Sequence, residues 1–369
     1  MSADPRRAAL DAQVIEWMQE PLWGDDEERF ESLALALFAF QFEHCAPYRR
    51  YCEGRGATPA SVERWHDIPA VPTGAFKELA LRSFPEERTE CVFRTSGTAA
   101  RKRGELHLDT LAVYEAALLP PFCRFLLPDL TAHHAEATLF VLAPSPGEAR
   151  DSSLSHMFGV AIREIGSEDS RFFVEGGELE FDTLHKALSE APSDAPLLLC
   201  GTAFAFVHLA DALDARGERL TLPPRARIME TGGFKGRSRS LARPELYELL
   251  ETLLDVELER IVNQYGMTEL GSQFYDSVLV DPEGPRRKLA PPWTRVRVLD
   301  SETGAQAAPG DPGALAITDL ANTGSVCAIQ TADVGRKIGD GFEVLGREPG
   351  AEARGCSIAA DELLGGGGE

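Results

Sequence analysis

Arg260-Ile261-Val262-Asn263-Gln264-Tyr265-Gly266-Met267-Thr268-Glu269 runs from a short apolar segment straight into polar residues with a glycine at their centre. The β-branched pair, too short for helical spacing, predicts a buried strand. Its polar continuation then falls at the strand's carboxyl end, where open parallel sheets bind ligands. The same layout recurs upstream. Ala226-Arg227-Ile228-Met229-Glu230 is a predicted strand that leads into Thr231-Gly232-Gly233-Phe234-Lys235-Gly236-Arg237, and Leu197-Leu198-Leu199-Cys200-Gly201 leads into Thr202. Ala137-Thr138-Leu139-Phe140-Val141-Leu142-Ala143 is a further buried-type strand, and helical patterns at residues 154–160, 204–213 and 244–254 lie between the strands. Strands alternating with helices predict an α/β fold built on a parallel sheet flanked by helices.

Further upstream, Phe93-Arg94-Thr95-Ser96-Gly97-Thr98-Ala99-Ala100-Arg101-Lys102-Arg103-Gly104 gathers hydroxyls, a glycine and a cationic cluster behind the apolar Cys91-Val92-Phe93. Such a composition suits a phosphate cradle, in which backbone N–H groups, hydroxyls and cations meet an anion. It suits a polar turn equally well. The G-x-x-x-x-G-K-[ST] nucleotide loop is absent. Residues 8–45 predict helix, with Leu33, Leu37, Phe38 and Phe40 on an apolar face and Asp25-Asp26-Glu27-Glu28 suited to a helix N-terminus. Thr58-Pro59-Ala60-Ser61-Val62-Glu63 predicts a helix start, and residues 111–127 a long amphipathic helix. From about residue 290, short strands at 295–299, 313–317 and 341–345 with Gly and Pro turns predict a small antiparallel β subdomain. The expected organisation is a helical N-terminus and α/β core over 1–288, the β subdomain over 289–347, and a flexible tail over 348–369.

Composition sets outer limits. The chain has 369 residues, 43% hydrophobic and 26% charged, ordinary values for a folded protein. Its formal net charge of -22 argues against DNA, RNA or an acidic membrane as partner, so a phosphate site would have to be a local basic patch. Seven scattered cysteines without CxxC spacing indicate neither a disulfide framework nor a zinc site. The reading is a cytoplasmic protein without a membrane span.

Four stretches occur in one order: Thr95-Ser96-Gly97-Thr98, then Tyr265-Gly266-Met267-Thr268-Glu269, then Thr331-Ala332-Asp333-Val334-Gly335-Arg336, then Gly346-Arg347 followed by Arg354-Gly355. Together they resemble the adenylate-forming superfamily. Within it, Phe76-Lys77 and residues 230–237 are most similar to the acyl-protein synthetases, the long-chain-fatty-acid–protein ligases of bioluminescence reductase complexes, with phenylacetate–coenzyme A ligases next. The resemblance covers roughly residues 65–362. It implies the N-terminal domain of an adenylate-forming enzyme, with the C-terminal mobile domain largely absent. It also implies ATP and Mg²⁺, activation of a carboxylic, fatty acid as its acyl-adenylate, and transfer to a protein thiol for delivery to a partner such as an acyl reductase.

By the same resemblance, Thr95, Ser96, Gly97 and Thr98 would hold the β,γ-phosphates, with Arg101 or Lys102 as cation. Ala99-Ala100 departs from the Thr-Gly of the family loop. Thr231, Gly232 and Gly233 would line the adenine pocket. In Tyr265-Gly266-Met267-Thr268-Glu269, Tyr265 would stack on adenine, Thr268 would bind the α-phosphate and Glu269 would hold Mg²⁺. Asp333 would accept the ribose hydroxyls and Arg347 would lie near ribose or phosphates. Ser155-His156-Met157-Phe158-Gly159 resembles the border of the acyl pocket, with His156 near the carboxylate; an ordinary helix histidine fits those residues too. No lysine follows Lys337 to serve as the family's adenylation lysine. Cys356, beside Arg354 that would favour its thiolate, occupies the place of the family's acyl-carrying cysteine; a plain free cysteine is the alternative. Two other readings stay open: an acid–coenzyme A ligase, and a non-catalytic nucleotide- or acyl-binding subunit.

Overall fold

Helices come first because the N-terminal apolar residues recur at helical spacing. In α1 (Pro5–Met18) the Asp4 carboxylate accepts the Arg6 N–H at 2.8 Å, and in α2 (Glu27–His44) Asp26 accepts from Arg29 N–H at 2.9 Å. The helical run predicted over residues 8–45 is therefore two helices. Pro21 and Gly24 interrupt it, since one lacks an N–H and the other favours non-helical backbone, and the acidic Asp26 cap restarts it. After α3 (Ala46–Glu53), the helix start predicted at Thr58 is a turn instead. Ser61 Oγ accepts the Thr58 N–H at 2.9 Å, a local side-chain bond that competes with helix formation.

The computed structural model describes residues 4–96, 102–130, 136–192, 196–232 and 241–347. The chain divides into two units. Unit one comprises Met1–Pro120, Met267–Gln273 and Lys288–Glu369, and unit two comprises Pro121–Gly266 and Phe274–Arg287.

In unit one, β1 (Val71–Pro72) precedes α4 (Ala75–Glu78), and β2 (Cys91–Arg94) pairs antiparallel with β3 (Glu105–Leu108). α5 (Ala112–Leu126) carries the chain into unit two.

Unit two alternates β4 (Thr138–Pro144), α6 (Ser153–Ile165), β5 (Arg171–Glu175), β6 (Glu178–Leu179), α7 (Phe181–Glu190), β7 (Leu197–Thr202), α8 (Ala203–Arg216), β8 (Arg227–Thr231), α9 (Arg243–Leu254), β9 (Ile261–Tyr265) and β10 (Phe274–Asp276). Its strand order is β10-β9-β8-β7-β4-β5-β6. The pairs β4/β5, β4/β7, β7/β8 and β8/β9 are parallel. Burial of nearly every residue in β4, β7 and β8 is what strands covered on both faces require. Phe140, Leu199, Ile228 and Ile261 of the sheet pack in one apolar cluster with Phe206 and Leu213 of α8 and Leu250 and Leu254 of α9. The predicted parallel sheet with flanking helices is thus present.

Unit one then adds β11 (Lys288–Leu289), β12 (Thr294–Leu299), β13 (Gly313–Asp319), β14 (Ala328–Ile338) and β15 (Gly341–Arg347), ordered β12-β13-β14-β15-β11 with antiparallel neighbours. β1 pairs parallel with β14. Alternating burial along β12 matches strands with one wetter face, as the turns after residue 290 predicted.

Candidate active site

In unit one the two ends of the Phe93–Gly104 stretch are held by the paired strands β2 and β3. Arg94 faces Glu105 across it, with a 2.8 Å bond from Nε to the carboxylate. The neck closes on itself: Thr95 N donates to Gly104 O at 2.9 Å, and Gly104 N donates to Thr95 Oγ1 at 2.8 Å. The Arg103 guanidinium adds bonds to Thr95 O at 2.6 Å and Arg94 O at 3.3 Å. Arg103 thus braces the base of the stretch, a role its place in a cationic cluster did not disclose. Lys102 Nζ lies 2.8 Å from the Glu78 carboxylate. Thr95 is half-buried and Ser96 exposed. Gly97, Thr98 and Arg101 lie outside the described residues.

Residues Met267, Thr268 and Glu269 belong to the same unit. A Cβ placed on Gly104 would stand 3.1 Å from Thr95 Cγ2 and 3.4 Å from Glu269 Oε1. The structure therefore brings the Glu269 carboxylate to the neck of the stretch that holds Thr95 and Ser96. Glu269 is buried; Met267 and Thr268 are half-buried. Among the described residues no cluster of three His, Cys, Asp or Glu side chains could hold a metal. The Glu269 carboxylate beside Gly104 offers the oxygen ligand that suits Mg²⁺, which protein sites hold through one or two carboxylates together with substrate phosphates.

The backbone beneath Glu269 is fixed by residues 319–327. Asn322 Nδ2 donates to Glu269 O at 2.9 Å, and the Asp319 carboxylate accepts from Ser272 N at 2.8 Å, Ser272 Oγ at 2.7 Å and Ala321 N at 3.0 Å. Burial pushes the Asp319 carboxyl up despite these donors. A Cβ on Gly271 would meet Ala321 Cβ at 2.7 Å, so only glycine admits this approach. On β14 and β15, Asp333 opposes Arg347, whose Nε lies 3.3 Å from its carboxylate. These two predicted ribose-side residues are together.

In unit two, Thr231 ends β8 and Tyr265 ends β9. Thr231 Oγ1 donates to Gln264 O at 3.0 Å and also bonds the Gln264 side chain. Gly232 follows with φ +78, left-handed backbone suited to glycine. The Tyr265 ring lies 6.0 Å from that of Phe274. Behind these strand ends, Glu230 Oε1 accepts from Tyr247 OH at 2.8 Å and Asn263 Nδ2 at 2.7 Å, a support the sequence did not signal. His156 is half-buried on α6, and its neighbour Met157 receives the Tyr275 hydroxyl at 3.9 Å. Gly266 is half-buried, and Gly233 lies outside the described residues.

Four of the six described cysteines, Cys45, Cys52, Cys200 and Cys327, are buried. Burial pushes the thiols of Cys45 and Cys123 up to about 11 and those of Cys52 and Cys327 to about 12; it raises Cys91 and Cys200 as well. Cys327 is completely buried. Cys356 lies outside the described residues. None of the described helices is long and apolar enough to cross a membrane.

The family described as "Acyl-protein synthetase, LuxE" matches residues 6–364. The long-chain-fatty-acid–luciferin-component ligase of Aliivibrio fischeri is 23% identical over 320 residues, 86% of this chain and 81% of that protein. The protein of the same name from Vibrio harveyi is 24% identical over 354 residues, covering 93% and 90%. Among solved structures, an open conformation of 2-hydroxyisobutyryl-CoA ligase in complex with 2-HIB-AMP and CoA superposes with a TM-score of 0.62 at 15% identity, covering 89% of this chain and 75% of that one. That likeness establishes a shared fold.

Proposed function

From the premise that this chain belongs to the acyl-protein synthetase LuxE family, we propose that it activates a long-chain fatty acid with ATP and passes the acyl group to a thiol of its own, Cys356. The acid's carboxylate oxygen attacks the α-phosphorus of ATP, the bond to the pyrophosphate oxygen breaks, and an acyl-adenylate forms. A thiolate then attacks the acyl carbonyl, the bond to AMP breaks, and a thioester results. The acyl group is thereby ready for a reductase partner. The observation that carries this reading is the meeting of Glu269 with the neck of the Thr95–Gly104 stretch.

The residues act as follows. Thr95 and Ser96, with Gly97 and Thr98, donate to the β,γ-phosphates, and Arg101 or Lys102 offsets their charge. Thr268 donates to the α-phosphate, where attack concentrates negative charge. Glu269 would hold Mg²⁺, and the chemistry that the ion would supply is neutralisation of phosphate charge. Thr231, Gly232 and Gly233 border the adenine, Tyr265 stacks on it, Asp333 accepts the ribose hydroxyls, with Arg347 alongside, and His156 lies by the substrate carboxylate. The burial of Cys45, Cys52, Cys200 and Cys327 favours an acceptor outside the core, such as Cys356.

Intact-protein mass spectrometry after incubation with ATP, Mg²⁺ and a panel of fatty acids tests the proposal. The expected result is a hydroxylamine-labile mass increase of one acyl group, lost in Cys356→Ser. Loading that persists in that variant, or acyl-coenzyme A as the sole product when coenzyme A is supplied, would refute transfer to Cys356.

A further inference from the structure

We infer that Asn322 is a positioning residue for adenylation: it sets the backbone that presents Glu269 to Mg²⁺–ATP. The inference rests on the role proposed above for Glu269. Asn322 is buried, and its side-chain amide holds the Glu269 carbonyl at 2.9 Å and the Val326 carbonyl at 3.3 Å. Its own carbonyl accepts from Gln41 Nε2 at 2.8 Å, and Gln41 Oε1 accepts the Cys327 N–H at 2.8 Å. Two further bonds, Ser325 Oγ to Leu81 O at 2.6 Å and Ser83 N to Gly324 O at 2.9 Å, fasten the same turn elsewhere. The turn is thus a fixed anvil. Against it the segment 269–272 is held at three points: Glu269 O by Asn322, Gly271 by the Ala321 methyl, and Ser272 by Asp319. Trp293 Nε1 adds a fourth bond, to Ser272 Oγ at 3.0 Å.

The consequence for chemistry is orientation. A single carboxylate that must meet a metal–phosphate group gains from a backbone that cannot swing, because reorganisation at the moment of reaction costs rate. Groups that orient metal ligands typically change metal affinity or activity about 10- to 100-fold when removed. Asn322 makes the direct hydrogen bond from this turn to the Glu269 peptide, whereas Ser325 stabilises the turn without touching the segment.

The test compares Asn322→Asp, which keeps the shape and replaces the amide donor by an acceptor, with Ser325→Ala as a control of the turn's stability and Ser272→Ala as a second break in the clamp. ATP uptake is followed by calorimetry across a Mg²⁺ titration, beside kcat and KM for acid-dependent AMP release and the melting temperature. Asn322→Asp is expected to raise the Mg²⁺ concentration for half-maximal ATP uptake about tenfold and to lower kcat with little change in the KM for acid. Ser272→Ala should show a smaller shift of the same sign, which decides the matter if Asn322→Asp fails to fold. Ser325→Ala should lower the melting temperature and leave the Mg²⁺ dependence in place. Equal Mg²⁺ shifts in Ser325→Ala and Asn322→Asp, or none in either clamp variant, would overturn the positioning role. Mg²⁺-independent ATP uptake by the unaltered protein would instead overturn the role proposed for Glu269, and this inference with it.

Discussion

The two parts of unit one that meet at Gly104 are built on opposite terms. The β2–β3 hairpin carries its charges towards solvent, with Arg94 on Glu105 and Lys102 on Glu78, each at 2.8 Å, the first pair half-buried and the second exposed. The seat of Glu269 does the reverse. Asp319, Ser272, Asn322 and Gln41 are buried and bonded to one another or to main chain. Exposed ion pairs contribute little, being screened and entropically costly, while a buried group stripped of its partner costs its full desolvation. Lys102, prominent in the sequence, therefore belongs to the adjustable side of the site, whereas its neighbour Arg103 is tied to main chain. The side without a motif is the rigid one.

Substitutions can break that contrast. The largest effect is expected for Glu269→Gln, which should slow acid-dependent AMP release at least about 100-fold, roughly 3 kcal/mol of barrier; a rate within tenfold of the unaltered protein would remove Glu269 from the chemistry. Next, Asp319→Ala should destabilise by about 2 kcal/mol or more in urea unfolding, because the Ser272 and Ala321 N–H groups lose their buried acceptor. Lys102→Ala, on the exposed side, should change stability by less than about 0.5 kcal/mol. A larger loss would show that the hairpin is as tightly held as the seat of Glu269.

The smallest effect concerns pH. The Arg94 guanidinium, and then Arg94 and His107 charge, hold Glu105 below its ordinary value of 4.5. A lowered carboxyl value means the folded state binds its proton less readily, so the contribution is complete above 4.5 and fades as pH falls through the folded value. Unfolding midpoints of Glu105→Gln and the unaltered protein should differ slightly near neutrality and converge below that pH; a gap that widens in acid would reverse the sign.

How much of this was legible follows from where each signal comes from. The strands β4, β7 and β8 could be read because sheets covered on both faces demand unbroken apolar runs. The β5–β6 hairpin and α7 were not read: β5 is short, fully buries only Phe173 between exposed Arg171 and Glu175 at its ends, and turns at Gly176 and Gly177. The Thr58 start had the right cap residues, yet Ser61 spent its hydroxyl on a turn. Tyr265 to Glu269 stood out as a polar run after a strand. Asn322 had no such mark, for its meaning lies in a bond to a residue 53 positions away, and Glu230 likewise acquires its partners only through the pairing of β8 with β9 and the packing of α9.

The most direct measurement is exchange of labelled pyrophosphate into ATP, with and without fatty acid, because it reads carboxylate activation apart from any later thiol transfer. Exchange is expected in the presence of Mg²⁺ and a long-chain fatty acid and near background when the acid is omitted. No exchange with any acid of the panel, in a preparation that melts cooperatively, would contradict ATP-dependent activation by this chain.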